Sequence, residues 1–299
     1  MSYKYISQTE PTARGVDFRA ELQAAVDELP PLPLVLNRVL QLLNDSTASV
    51  AQIASMIEKD AVLSGSVLRC VNSAYFGLKS DVSSIRHAVS MLGFSTVRNL
   101  SLAFSLRRML TGSRVPPPRL YARYSQHSLS CAMLCQYLVR YSQVGEDPDT
   151  AFAAGLFHDI GKLLILSTFP DLTTRITEQY EQTDASWEDC ELNLLGIGHP
   201  ELSRIVMEKW KLPASLQQAV EFHHRPGDCP APEGQTLTLA HILEAADLYV
   251  NEYGLEIHPT KRGNPFPADQ AFERIGLRQK LPEVLEKFKV EYESIRTLF

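Results

Sequence analysis

The 299-residue sequence has no uninterrupted run of about 18 apolar residues and no excess of positive charge. The absent apolar run argues against a membrane-spanning helix. The net charge of −6 gives no sign of a general nucleic-acid or membrane surface. The first residues, MSYKYISQTEPTARG, lack the apolar segment of a secretory signal. We therefore expect neither a nucleic-acid partner nor a membrane partner.

Cysteine is also scarce, with an odd and scattered set of five. They are Cys70, Cys131, Cys135, Cys190 and Cys229. Such a set does not form an evident disulfide framework and suits a reducing compartment, so we expect a cytoplasmic protein. Cys131 and Cys135 lie one helical turn apart, but their spacing is not that of a zinc knuckle. We interpret both as plain core or boundary residues.

Strict alternation of apolar and polar residues, the pattern of a half-buried strand, is absent as well. Apolar residues instead recur with the helical period, as in LVLNRVLQLL at residues 34–43. The sequence therefore predicts an all-α protein. In the second half we predict helices at about 120–142, 149–168, 171–183, 201–210, 214–224 and 236–252.

A proline-rich segment, TGSRVPPPRL at residues 111–120, is the sharpest internal boundary. Consecutive prolines cannot continue a helix and favour an extended spacer. The sequence thus predicts an N-terminal helical lobe to about residue 112, a spacer at 113–119 and a second helical lobe from residue 120. There are no internal repeats.

Residues 155–162, GLFHDIGK, place the pair His158–Asp159 inside an apolar helical pattern. Burying a carboxylate without a partner costs several kcal/mol. A metal ion would offset that cost and keep Asp159 ionised. The pair is therefore the first candidate for a metal site.

Other candidate ligands fall at similar intervals along the second lobe, each within or at the end of a predicted helix. They are His127, His199, His223, His224 and Asp247. Helical bundles build metal sites from one ligand on each of several helices. Imidazole and carboxylate together suit iron, manganese or zinc, and a carboxylate can bridge two ions.

A less specific interpretation applies to several histidines, since a lone helical histidine is more often hydrogen-bonded or exposed than a ligand. We assign His87 and His258 to that class and regard His241 as structural or supporting. One of the pair His223–His224, which ends a helix before Pro226, would alternatively interact with the helix dipole.

The order His127, His158–Asp159, Asp247 resembles the H…HD…D signature of the HD phosphohydrolase superfamily. His199 and the pair His223–His224 resemble the extra ligands of its two-metal branch, which includes the HD-GYP cyclic dinucleotide phosphodiesterases. The resemblance implies two ions, iron or manganese foremost and zinc as an alternative, bridged by Asp159. Lys162 matches a lysine that this branch uses near substrate phosphate. Its alternative role is to extend from an apolar helix to water.

The N-terminal lobe resembles the HDOD domain, the HD-related output domain of bacterial signalling proteins. The resemblance rests on the segments LPPLPLVLNRVLQLLND, IEKDAVLSGSVLRCVNSAYFG and SSIRHAVSMLGFSTVRNLSLAFSL. It covers roughly residues 20–225 and implies a multi-helix HD-like bundle with the N-terminal lobe packed on it. Residues 1–19 would then be an extension, and residues 226–299 would complete the second lobe and add closing helices.

The sequence departs from these families in three places. HDOD domains have usually lost the metal ligands, whereas this chain retains candidates for all of them. The GYP element is absent, and HHRPGDCPAPEG stands in its place. Arg123 occupies the position where some HD-GYP members have a glutamate for a third metal, which limits the site to two ions.

Three function hypotheses remain at this point. The first is a regulatory module that binds other signalling proteins and uses its metal site structurally or as a sensor. The second is a metal-dependent phosphohydrolase or phosphodiesterase acting on a nucleotide or cyclic dinucleotide, with Asp159 and Lys162 as catalytic residues. The third is a metal-free helical scaffold. We favour the first, and a small phosphate-bearing ligand fits either of the first two.

Overall fold

The computed structural model describes residues 17–32, 37, 50–73, 78, 81–110, 118–258 and 267–295. Within these ranges the regular structure is helical and contains no strand, which confirms the all-α prediction. Most of the helix predicted at residues 34–43 lies outside the described residues. So do residues 113–117 of the predicted proline spacer.

The N-terminal part contains short helices, each ended or begun by a recognisable residue. They are α1 (Phe18–Glu28), α2 (Val50–Glu58), α3 (Ala61–Val71), α4 (Ile85–Leu92) and α5 (Phe94–Leu110). Asp60 caps α3 by accepting from the backbone N–H groups of Val62 and Leu63. Gly93, with φ of +83°, separates α4 from α5 because glycine adopts this conformation without strain.

The second lobe begins with a long helix and continues through shorter ones. They are α6 (Pro118–Tyr141), α7 (Pro148–Phe157), α8 (Ile160–Thr168), α9 (Pro170–Gln182), α10 (Trp187–Leu195), α11 (His199–Lys209), α12 (Ala214–Glu221), α13 (Leu239–Glu252), α14 (Ala268–Arg274) and α15 (Leu281–Ile295). The single helix predicted at 149–168 is wrong, because the chain leaves the helical conformation at Asp159. Helix α10 has no counterpart among the predicted helices.

Helix α1 packs against the second lobe. The rings of Phe18 and Phe169 meet edge to face with centroids 5.3 Å apart. The Arg19 guanidinium donates to the carbonyl oxygen of Gly196 at 2.8 Å and pairs with Glu201. One continuous hydrophobic core therefore extends through both lobes.

The two lobes also meet through the first turn of α7. There, the half-buried Asp149 forms an ion pair with the buried Arg98 of α5. The Ser95 hydroxyl, also on α5, donates to Asp149 at 3.1 Å, and the Gln136 side-chain amide of α6 donates at the same distance. Asp149 thus joins three helices at one end of α7, and the other end of that helix leads directly to His158.

Two glycines allow close helix packing on either side of the His158–Asp159 pair. A Cβ atom on Gly155 would lie 2.5 Å from the backbone nitrogen of Ala132 in α6. A Cβ atom on Gly161 would lie 2.4 Å from the carbonyl oxygen of His199 in α11. Both distances are far shorter than van der Waals contact, so the absence of a side chain lets four helices, α6, α7, α8 and α11, converge at the pair.

Replacing Gly161 by alanine should lower the free energy of unfolding by about 1–3 kcal/mol, because the added methyl forces backbone shifts in a packed core. Urea denaturation of the wild type and of Gly161→Ala measures the difference. Gly145→Ala is the matched control, since a Cβ there meets nothing within 4 Å. Equal stability of Gly161→Ala and wild type would show that the close approach is not required.

Residues Pro148–Thr168, which comprise α7 and α8, are long and apolar enough to cross a membrane by length and composition. However, 89% of the 18-residue apolar stretch within this segment is buried inside the fold, as in core helices of globular proteins. This burial accounts for the apolar sequence without a membrane.

Candidate metal centre

The seven predicted metal-site residues converge in the core of the second lobe. Their positions are His127 within α6, His158 and Asp159 between α7 and α8, His199 at the start of α11, His223 and His224 just after α12, and Asp247 within α13. All except His224 are buried. Distant parts of the sequence therefore supply one compact cluster of nitrogen and oxygen atoms.

Three of the histidines are oriented by main-chain carbonyl groups. Their Nδ1 atoms lie 3.0 Å from Leu255 O for His127, 2.8 Å from Gly155 O for His158 and 2.6 Å from Val220 O for His223. A carbonyl oxygen only accepts hydrogen bonds, so each Nδ1 carries the donated proton. In the neutral ring, Nε2 then carries a lone pair, which suits metal coordination.

His199 is oriented instead by a carboxylate that the sequence analysis missed. Glu191 accepts from His199 Nδ1 at 2.6 Å and from the His199 backbone N–H at 2.7 Å. Its other oxygen accepts from the indole N–H of Trp187 at 2.8 Å. Burial raises the pKa of Glu191 to about 8, although the charge of Lys162 opposes the shift. Because Glu191 binds Nδ1 of His199, the Nε2 atom of that ring is free to face the centre of the cluster.

The first ligand group consists of His127, Cys131, His158 and Asp247, whose ligand atoms all lie within 4.8 Å of one another. His127 Nε2 lies 3.1 Å from Asp247 Oδ1 and 3.2 Å from His158 Nε2. The Asn251 side-chain amide donates to Asp247 at 2.9 Å and fixes its carboxylate.

The second ligand group consists of His199, His223 and His224, again within 4.8 Å of one another. The Nε2 atoms of His199 and His224 are 3.0 Å apart. Two nitrogen lone pairs at this distance repel each other unless a proton or a metal cation lies between them. The side chain of His224 is 32% exposed, so this group lies toward the solvent side of the cluster.

Asp159 lies between the two groups and turns one oxygen toward each. Its Oδ2 is 3.4 Å from His158 Nε2 and 3.5 Å from His127 Nε2. Its Oδ1 is 3.4 Å from His199 Nε2 and 3.9 Å from His223 Nε2. Asp159 Oδ1 and His223 Nε2 are buried and have no hydrogen-bond partner. An unpartnered carboxylate oxygen and an unpartnered imidazole nitrogen at one place fit cations.

Lys162 lies beside this carboxylate on the first turn of α8. Its ammonium donates to Asp159 Oδ2 at 2.8 Å, and its side chain is 13% exposed. Burial opposes ionisation of Asp159, but the charges of His158 and Lys162 outweigh it and hold its pKa well below the usual range. Because the helix breaks at Asp159, α8 rather than the helix of His158 positions Lys162.

Three further residues considered from the sequence, His241, His258 and Arg123, lie outside the cluster. His241 caps α13 through Thr238, which agrees with a structural role. His258, which was interpreted from the sequence as an ordinary histidine, stacks on Trp187 with ring centroids 3.7 Å apart. Trp187 in turn donates to Glu191, the residue that orients His199. Arg123 is exposed on α6.

The metal-free protein should lose stability on acidification. Burial, the largest cause, holds the pKa values of His199 and His223 well below their usual range. The unfolded chain takes up these protons below about pH 6.5 and the folded chain does not, so stability falls as the pH falls. His158 acts in the opposite direction. Burial opposes its protonation, but the charge of Asp159 raises its pKa to about 10, so its contribution is lost only as pH rises toward 10.

The free energy of unfolding of chelator-treated protein should therefore fall between pH 7 and pH 5 because of His199 and His223, and the raised pKa of Glu191 makes the fall smaller. Denaturant unfolding at a series of pH values measures the drop. His223→Gln should make the decline shallower, because it removes one of the two imidazoles that burial keeps neutral. If the free energy of unfolding of the wild type does not change between pH 7 and pH 5, the imidazoles of His199 and His223 are not neutral and buried as described.

Comparison with known proteins gives a family match over most of the chain. The model of the HDOD domain matches residues 29–226. An uncharacterized protein of Treponema pallidum (strain Nichols) is 21% identical over 211 residues, which are 71% of this chain. The present chain matches only 40% of the length of that relative.

Three solved structures share the fold and each aligns with 94% of this chain. An HDOD domain protein of unknown function from Geobacter sulfurreducens has a TM-score of 0.77 at 21% identity, with 97% of its own chain covered. A protein provisionally described as a phosphohydrolase, from Shewanella amazonensis SB2B, has 0.71 at 26% identity and 97% coverage. One provisionally described as a signal transduction protein, from Marinobacter aquaeolei VT8, has 0.72 at 21% identity and 65% coverage.

Proposed function

The chain belongs to the HDOD domain family, and we propose that it is a bacterial signalling module that holds two metal ions in the core of its second lobe. The observation that carries the proposal is the position of Asp159. One of its oxygens faces the group of His127 and His158, and the other faces the group of His199 and His223. A carboxylate in this position suits a bridge between two ions.

Under this proposal His127, His158 and Asp247 hold one ion, His199, His223 and His224 hold the other, and Asp159 binds both. Iron or manganese are the favoured metals, and zinc also suits these ligands. When bound, such ions supply Lewis acidity and lower the pKa of a coordinated water.

Neighbouring residues keep these ligands ready for coordination. Glu191 fixes the ring of His199, and Asn251 fixes the carboxylate of Asp247. Supporting contacts of this kind typically contribute 10- to 100-fold to metal affinity. Lys162 supplies a compact positive charge beside Asp159, and 13% of its side chain is exposed.

The regulatory role is supported by the connection between the lobes. Arg98 and Asp149 hold the first lobe to the start of α7, and the end of α7 leads to the ligands His158 and Asp159. A signalling partner that moves the first lobe would therefore act on the helix that positions these ligands. Other signalling proteins are the expected partners.

A second candidate function is a metal-dependent phosphohydrolase or phosphodiesterase that acts on a nucleotide or cyclic dinucleotide. It is favoured by the partial exposure of Lys162 and His224 beside the buried cluster, since an ammonium next to the candidate ligands suits a phosphate oxygen. The Shewanella amazonensis protein, provisionally described as a phosphohydrolase, points in the same direction.

The metal proposal predicts that removal of one ligand group leaves the other ion bound. Wild-type protein purified without chelators should carry close to two equivalents of metal, and His223→Ala should carry about one. Elemental analysis measures both. His241→Ala is the matched control, because His241 is buried on α13 outside the cluster. Negligible metal in the wild type, or equal losses in both variants, would contradict the assignment.

A further inference from the structure

Cys131 lies within the first ligand group, although its spacing from Cys135 had indicated only a core residue. Its Sγ atom is 3.6 Å from His127 Nε2 and within 4.8 Å of the ligand atoms of His158 and Asp247. The side chain is fully buried. Because Cys131 follows His127 by four residues on α6, the two side chains lie on the same face of that helix.

Packing does not by itself require sulfur at this position. Helices α6 and α7 approach closely here, since a Cβ on Gly155 would lie 2.6 Å from the carbonyl carbon of Cys131. Such an approach favours a small residue, and the adjacent Ala132 is fully buried in the same core. Cys135, one turn farther along α6, is equally buried but does not belong to the ligand group. Only one of the two thiols therefore meets two imidazoles and a carboxylate.

We propose that Cys131 is a thiolate ligand of the metal ion held by His127, His158 and Asp247. This inference rests on the metal site proposed above. It gives the two halves of that site, which correspond to the two ligand groups, different donor atoms. The half with Cys131 contains sulfur, nitrogen and oxygen donors, whereas the half with His199 contains imidazole nitrogens and the carboxylate of Asp159. Thiolate is a soft ligand that favours zinc, ferrous iron or cobalt over manganese.

The binding step is coordination and needs no further reactant. A bond forms between Sγ and the ion, the S–H bond breaks, and the proton passes to solvent. Nothing is oxidised or reduced. Each metal ion that enters this half therefore releases one proton from Cys131, in addition to any displaced from the histidines.

Cobalt(II) titration of the metal-free protein tests the proposal, because cobalt bound to a thiolate gives an intense charge-transfer absorption in the near ultraviolet. Wild type should bind about two equivalents, and the band should rise with only one of them. Cys131→Ser should lose the band and weaken binding of that equivalent by about 10-fold or more, the least expected when a direct ligand is lost. Cys135→Ser is the buried control, and Cys229→Ser excludes a more accessible thiol.

The outcomes separate this inference from the site itself. Cobalt binding by the wild type without the band, or with a band that Cys131→Ser retains, would overturn the thiolate assignment and leave the two-metal proposal intact. No cobalt binding would overturn both. Where Cys131→Ser fails to fold, Cys131→Ala provides a second replacement, and loss of the band in Cys135→Ser or Cys229→Ser would also overturn the assignment to Cys131.

Discussion

Replacement of Asp159 by alanine will remove both metal ions and lower the bound metal from about two equivalents to near zero. The carboxylate faces both ligand groups, so its loss weakens both at once, whereas loss of His223 affects one. It also leaves the ammonium of Lys162 without its carboxylate partner. Elemental analysis of protein purified without chelators measures the effect.

Two further variants make this result interpretable. Asp159→Asn keeps the shape of the side chain while removing its charge, and it should also lose most of the metal. Asp171→Ala removes an exposed acidic residue at the start of α9 and should retain both ions. Circular dichroism establishes that each variant is folded. If folded Asp159→Asn and Asp159→Ala both keep two equivalents, the carboxylate does not bridge.

Replacement of Lys162 by alanine should separate a catalytic site from a regulatory one. Lys162 contacts Asp159 but is not itself a ligand, so metal content should stay nearly unchanged. Binding of phosphate-bearing ligands should weaken because a compact positive charge is lost. If the protein is a hydrolase, its rate should also fall by ~10²-fold, as for loss of one charge-stabilising donor.

The assay compares iron-loaded wild type and Lys162→Ala against cyclic dinucleotides, nucleotides and a generic phosphodiester. Lys59→Ala, an exposed lysine of the first lobe, is the control. The regulatory proposal predicts weak or no turnover by the wild type, together with ligand binding that depends on Lys162. Rapid hydrolysis that disappears in the variant would instead establish the enzyme. Unchanged ligand binding in Lys162→Ala would mean that the lysine only pairs with Asp159.

The helical fold could be predicted because apolar periodicity is a local property of the sequence. The break between α7 and α8 was not predicted, because the apolar pattern continues on both sides of Asp159 even though aspartate and the nearby glycines are weak helix formers. The break follows from contacts between distant segments. Gly155 and Gly161 let neighbouring helices approach, and that packing is absent from local propensity.

The positions of the metal-site candidates could be proposed from sequence because histidine and aspartate are rare inside apolar helices. Glu191 was missed because a carboxylate on a polar helix looks like an ordinary surface residue. The signal available was the capping box of Ser186 and Asp189, which predicts the start of α10. Cys131 was missed because its spacing was compared with Cys135, whereas the informative spacing is from His127.

The magnetic state of bound iron tests the two-metal proposal most directly. Metal-free wild type should be loaded with two equivalents of isotopically enriched iron, oxidised, and measured by Mössbauer spectroscopy. A pair that shares the carboxylate of Asp159 should show magnetic coupling between the two ions, and Asp159→Asn should not retain that signal. Two uncoupled ions in the wild type, or no bound iron, would contradict the account.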